Sequence, residues 1–188
     1  MLAPQCSQYL QIEKNYSDHT VLAYTRDRDA FHSFLQSFYE TDLYSEAGAQ
    51  ALSHRQVRAW MGQLIKSGIS RRTVARKIAS VNAYFRFLMR SGKVASNPAA
   101  KVSVPKYEKK LPAVLRADSV TTLFEGLAFP EDFKGQRDRA LLEVFYSCGL
   151  RRSELIGLQY GNIDFRNRTL KVMGKGRKER IIPFGDAA

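Results

Sequence analysis

Two short segments hold the residues whose types and spacing suit chemistry. Arg151-Arg152-Ser153-Glu154 places two cations where a helix would begin, with a carboxylate three positions after the first. Cations oppose the positive end of the helix dipole, and local conflicts of this kind concentrate at functional sites. Arginine is also suited to two-pronged recognition of an anionic phosphate, and Glu154 is placed to hold its guanidinium. The competing reading is an exposed loop arginine with Ser153 as an ordinary cap. Gly174-Lys175-Gly176-Arg177-Lys178 is a glycine-flanked lysine between two runs of alternating apolar residues. That pattern is a β-hairpin tip. The tip is either a mobile lysine placed over a substrate or a flexible turn carrying solubilising charge. It is not a phosphate-binding P-loop, because no glycine-rich strand-to-helix turn ends in Gly-Lys-Ser/Thr.

The charge distribution supplies a third clue. The chain of 188 residues carries 30 basic and 18 acidic side chains, a formal net charge of +12. Residues 70–110 hold 11 of the basic residues and one acid, Glu108, whereas residues 1–69 are nearly balanced. Such a stripe points to a polyanionic partner, nucleic acid before a membrane surface. Arg71, Arg72, Arg76, Lys77, Arg86 and Arg90 fall in one apolar-periodic segment without the interleaved acids that pair along a merely solvated face. Nucleic-acid contact is the favoured reading.

Other chemistries find little support. The two cysteines, Cys6 and Cys148, give neither a disulfide framework nor a thiolate zinc site. His19, His32 and His54 lack metal-ligand spacing and are expected at the surface or near helix caps. No run approaches the roughly 18 apolar residues of a membrane helix, and the first residues lack a signal-peptide pattern, so a cytoplasmic protein is expected.

The elements that must position these residues follow from period and punctuation. A helix is expected from about Pro4 to Glu13. Ser17 caps a second, to about Phe38, and Ser53 with Gln56 forms a capping box for a third, ended by Gly68. Ser70 opens a fourth, with Val74, Ile78, Val81, Tyr84, Phe85 and Leu88 on one face, ended by Gly92. Trp60 is a core candidate. Asn97-Pro98 stops the helical region, and a lysine- and proline-rich stretch follows. Helices are then expected over Asp118–Leu127, over Gln136–Ser147 (apolar enough to look buried, ended by Gly149) and over Glu154–Leu158. The period then changes to two at Thr169–Met173 and Glu179–Pro183, with a short strand near Ile163. This gives a mainly α chain of three segments: a helical domain at 1–103, a basic linker at 104–112 and a second domain at 113–188.

Taken together, these features resemble the tyrosine site-specific recombinases, or phage integrase family, of the Xer type that resolves bacterial chromosome dimers. Five stretches carry the resemblance: Thr20-x-x-x-Tyr24-x-x-Asp27, Arg86 through Asn97-Pro98, Val104-Pro-Lys to Leu111-Pro112, Arg137 through Leu158, and Val172 through Pro183. The resemblance implies a four-helix, SAM-like core-binding domain followed by the first part of an α+β catalytic domain with a small antiparallel sheet. It implies Arg151 on a scissile phosphate, Glu154 in support, and Lys175 as general acid on the leaving 5′ oxygen. Arg71, Arg72, Arg76, Lys77, Arg86, Lys106, Lys109, Lys110, Arg177 and Lys178 are the expected DNA contacts.

The partner implied is double-stranded DNA, engaged by a tetramer on two sites at the nucleoid, with no nucleotide or metal cofactor. The family's downstream His-x-x-Arg motif and nucleophilic tyrosine have no match here, and none of the nine tyrosines stands at the nucleophile position. The expectation is therefore an incomplete recombinase, a fragment of the enzyme; the alternative is a DNA-binding module that does not cut.

Overall fold

The computed structural model describes residues 2–107, 116–174 and 178–185. The chain divides into two compact units, Met1–Lys110 and Leu111–Ala188.

The first unit is helical: α1 (Leu2–Ile12), α2 (Asp18–Tyr39), α3 (Glu46–Ala51), α4 (His54–Lys66) and α5 (Arg71–Arg90), then a 3-10 turn at Pro98–Lys101. Its boundaries follow local capping chemistry. The Ser17 hydroxyl accepts from the Thr20 N–H, and the Ser70 hydroxyl from the Thr73 N–H. Gln56 Oε1 accepts from the Ser53 N–H while the Ser53 hydroxyl accepts from the Arg55 N–H. Each satisfies a donor that the helix itself leaves unpaired.

The four long helices stand where apolar periodicity puts them. The six-residue α3 is an addition. It is too short to show a period, and Ser45 holds it by accepting from the Gly48 N–H. Beyond Asn97-Pro98 the chain also stays with the unit: Pro98, Ala99 and Val102 are buried.

The core of this unit gathers Phe31, Leu35, Leu43, Val57, Trp60 and the apolar face of α5. Leu22 and Phe38 of α2 are exposed. His19 is exposed, His54 opens α4, and His32 Nδ1 accepts from the Leu43 N–H.

The second unit contains α6 (Ala117–Gly126), α7 (Phe133–Cys148), α8 (Arg152–Ile156), a 3-10 turn at Tyr160–Asn162, and strands β1 (Ile163–Asp164), β2 (Thr169–Met173) and β3 (Glu179–Pro183). The sheet is antiparallel in the order β1-β2-β3. Leu170 pairs with Ile182 and Val172 with Arg180, so those four residues share one face. Leu170 and Val172 are buried with Cys148 and Leu150, and Val144, Leu155, Leu158, Ile163, Ile182 and Phe184 pack around them.

One expectation fails here. Helix α7 is not buried: Leu141, Leu142, Phe145 and Tyr146 are exposed, as is Phe133, and only Gly135 and Cys148 are buried. Its composition is that of a helix covered on several faces, but among the described residues the cover comes mainly at its C-terminal end. Gly149 ends α7 in the left-handed region (φ +56°), which turns the chain directly into Leu150 and Arg151.

Candidate nucleic-acid interface

Arg151 occupies the N-cap position of α8. Its backbone N–H donates to Glu154 Oε2 at 2.9 Å, and its Nη1 donates to Glu154 Oε1 at 2.7 Å. The reading of Ser153 as the cap is thereby set aside: Glu154, reaching back three residues, does the capping. The Arg151 N–H is consumed by this bond, so anion-binding capacity resides in the guanidinium. That side chain is 62% exposed while its carboxylate partner is 3% exposed. A buried acid thus holds the stem of an outward-facing arginine.

Glu154 has a second cation that sequence reasoning missed. Arg180 Nη1 donates to Oε1 at 3.1 Å and Nη2 to Oε2 at 2.8 Å. The Arg151 N–H, with the charge and hydrogen bonds of both guanidiniums, holds the Glu154 carboxyl below the usual carboxylate range. A signal for Arg180 existed in the alternation of β3. Residues 180 and 182 share a face, and Ile182 belongs to the packed one. An arginine on the inward side of a strand implies a buried acid partner.

The hairpin base meets this cluster. Gly174 N–H donates to the Lys178 carbonyl at 2.7 Å and closes the turn. A Cβ placed on Gly174 would stand 3.8 Å from Glu154 Oε1 and 3.7 Å from Arg180 Nη1. A side chain at the position preceding Lys175 would therefore reach the acid that holds Arg151. Lys175 and Arg177 lie outside the described residues, as do Lys109 and Lys110. Lys178 and Lys106 are exposed.

The basic helix divides into two populations. Arg71, Arg72 and Arg86 are exposed and carry no ion pair among the described residues. Arg76 and Lys77 are different. Both donate to Asp27 of α2, Lys77 Nζ to Oδ1 at 3.1 Å and Arg76 Nη1 to Oδ2. Asp27 is buried, Lys77 largely so, and the Lys77 ammonium lies 5.9 Å from the Trp60 ring centroid. No acid is interleaved along α5, but at these two positions an acid comes from another helix. Arg90 likewise pairs with Glu13 at 3.0 Å. Arg72 and Arg76 line a groove with Thr73, Ala75, Ala79 and Tyr107.

Among the described residues no group of three or more His, Cys, Asp or Glu is arranged to hold a metal ion, and no helix is long and apolar enough to cross a membrane.

The structure thus joins a capped helical unit to a unit that holds an arginine–glutamate pair beside a β-hairpin. The fold is similar to that of lambda integrase, solved as a tetramer bound to a Holliday junction, at TM-score 0.71 and 17% identity over 97% of this chain and 49% of that one. It is also similar to the Tn1549 transposon integrase in complex with circular intermediate DNA, at TM-score 0.64 and 18% identity over 99% of this chain and 61% of that one.

Residues 5–92 match the phage integrase N-terminal SAM-like domain, and residues 113–188 match the phage integrase family domain. The tyrosine recombinase XerC of Syntrophus aciditrophicus is 41% identical over 100% of this chain and 60% of its own length. The XerC of Chlorobaculum tepidum is 39% identical over 96% of this chain and 58% of its own. The chain belongs to the phage integrase family of tyrosine recombinases. It spans about 60% of the length of the curated relatives it matches.

Proposed function

We propose that this chain is the DNA-binding and phosphate-gripping part of an Xer-type site-specific tyrosine recombinase. In this reading residues 1–103 bind duplex DNA, 104–112 follow its phosphate backbone, and 113–188 contribute Arg151, Glu154 and Lys175 to strand exchange. The observation that carries it is the Arg151–Glu154 pair: an exposed guanidinium fixed from behind by a buried carboxylate, beside the base of a basic hairpin.

The chemistry follows from where charge develops. When a tyrosine oxygen attacks the scissile phosphorus, the 5′ oxygen leaves and negative charge builds on the non-bridging oxygens. A prefixed arginine stabilises that charge without reorganising. Lys175 would protonate the leaving 5′ oxygen, a role that needs a donor within hydrogen-bond reach of it. The tyrosine nucleophile and the His-x-x-Arg pair would come from sequence not present in this chain. In the whole recombinase the product is a 3′-phosphotyrosine, formed within a tetramer on two DNA sites. Chromosome-dimer resolution at the bacterial nucleoid, in the cytoplasm, is the setting that fits XerC-like relatives.

The test is binding of the 188-residue chain to a duplex carrying a recombination site and to a scrambled duplex, across a salt series. Tighter, steeply salt-dependent binding to the site is expected. Equal affinity for both, with no salt dependence, would overturn the reading.

A further inference from the structure

We propose that Arg180 is a positioning residue for Arg151, acting through Glu154, and that the same carboxylate anchors the base of the β2–β3 hairpin. The proposal rests on the reading of Arg151 as the phosphate-binding residue.

Glu154 is the common point. Its carboxylate offers about four acceptor positions, and four donors meet them. Oε1 takes Arg151 Nη1 at 2.7 Å and Arg180 Nη1 at 3.1 Å. Oε2 takes the Arg151 N–H at 2.9 Å and Arg180 Nη2 at 2.8 Å. The last torsion of a glutamate is soft and broad. Arg180 removes that freedom, because two parallel bonds from a planar guanidinium fix the plane of the carboxylate. Arg151 holds Oε2 through its backbone N–H and only Oε1 through its guanidinium, so the two-pronged grip of Arg180 is what fixes the oxygen that the Arg151 guanidinium meets.

The exposures divide the labour. The Arg151 side chain is 62% exposed and the Arg180 side chain 38%, around an acid at 3%. Arg151 faces outward to a ligand, and Arg180 sits on the packed face of β3 opposite Val172.

The hairpin joins through Gly174. A Cβ there would stand 3.2 Å from the Lys178 carbonyl oxygen and against both Arg180 and Glu154. A shift in the Arg180–Glu154 pair therefore disturbs Arg151 and the base of the hairpin together.

The test uses the full chain with Arg180→Gln and Arg180→Lys, and inorganic phosphate as the probe. Three readouts are followed by NMR: the pH titration of the Glu154 carboxyl carbon, the Arg151 Nε–Hε resonance, and the affinity for phosphate measured at that resonance. In Arg180→Gln, Glu154 is expected to titrate at higher pH, the Arg151 resonance to shift and broaden, and phosphate affinity to fall roughly tenfold, by analogy with the loss of a hydrogen-bond partner that orients a metal ligand. Arg180→Lys restores the charge but not the fork, so it should bring back most of the Glu154 titration and only part of the phosphate affinity.

An Arg180→Gln chain with a shifted Glu154 titration but unchanged Arg151 resonance and phosphate affinity overturns the proposal. If Arg180→Gln loses its circular dichroism, Arg180→Lys decides alone, and wild-type values at Arg151 overturn it. A wild-type chain whose Arg151 resonance ignores phosphate would instead defeat the phosphate-binding reading, while the resonance of Arg151 in the variants still judges the coupling.

Discussion

Asp27 on α2 and Lys77 on α5 are 50 residues apart in sequence and 3.1 Å apart at their charged ends. Arg76 takes the other oxygen of the same carboxylate. The pairing fastens the basic helix to the longest helix of its unit at a point that is buried on the acidic side.

Replacing Asp27 with Asn should therefore destabilise the first unit. Removing one member of a buried ion pair costs about 3–5 kcal/mol, and the effect here belongs at the low end because Arg76 can turn to solvent. Urea unfolding of the full chain, followed by Trp60 fluorescence, gives the number. An unchanged midpoint would show that the triad adds nothing to the fold.

The two populations on α5 predict different phenotypes. Arg72→Gln or Arg86→Gln should leave the urea midpoint alone and lower the slope of log affinity for duplex DNA against log salt. The expected change is about 0.9 for each phosphate that is no longer neutralised. Lys77→Gln should lower the urea midpoint first. If Arg72 and Arg86 leave the slope untouched, those cations face only solvent.

A pH effect follows from Glu154. Its folded pKa is depressed, first by the Arg151 N–H and then by the two guanidiniums. A depressed acid contributes stability that is fully present above its unfolded value, about 4.3, and is lost as pH falls through the folded value. The second unit should thus lose stability below about pH 4. Glu154→Gln should be less stable at neutral pH and show a smaller further loss on acidification. Thermal melts of both proteins across that range check it.

By itself the chain should not cleave a DNA strand. Positioning an in-line nucleophile supplies much of the rate of such reactions, and on the proposed function the nucleophilic tyrosine is none of those in this chain. The chain should bind a nicked suicide substrate and form no covalent adduct. A protein–DNA band that survives denaturant and vanishes with protease would show that one of the nine tyrosines present does attack.

The parts of this structure that are legible in sequence are those decided locally. Ser17, Ser53, Ser70 and Gly149 mark helix ends because capping acts within three or four residues. The hairpin register follows from a two-residue period. Asp27 is hidden as the partner of Lys77 because nothing local links residues 50 apart. Arg180 leaves a trace in the alternation of β3, but its partner Glu154 is hidden because it lies 26 residues away. The exposure of α7 is not written in its own composition. Side-chain composition records the surroundings a helix is suited to, not the neighbours it has.

The apolar side of α7 has a consequence for handling the protein. Leu141, Leu142, Phe145 and Tyr146 present hydrocarbon to water on a molecule that carries +12. Mutual repulsion between copies keeps such faces apart at low ionic strength. In 1 M salt the screening distance contracts to about 3 Å, and that repulsion vanishes while the hydrophobic attraction remains. The high salt that, on the proposed function, would release the chain from DNA is therefore the condition in which it should self-associate and come out of solution. Elution by a competing polyanion keeps the two effects separate.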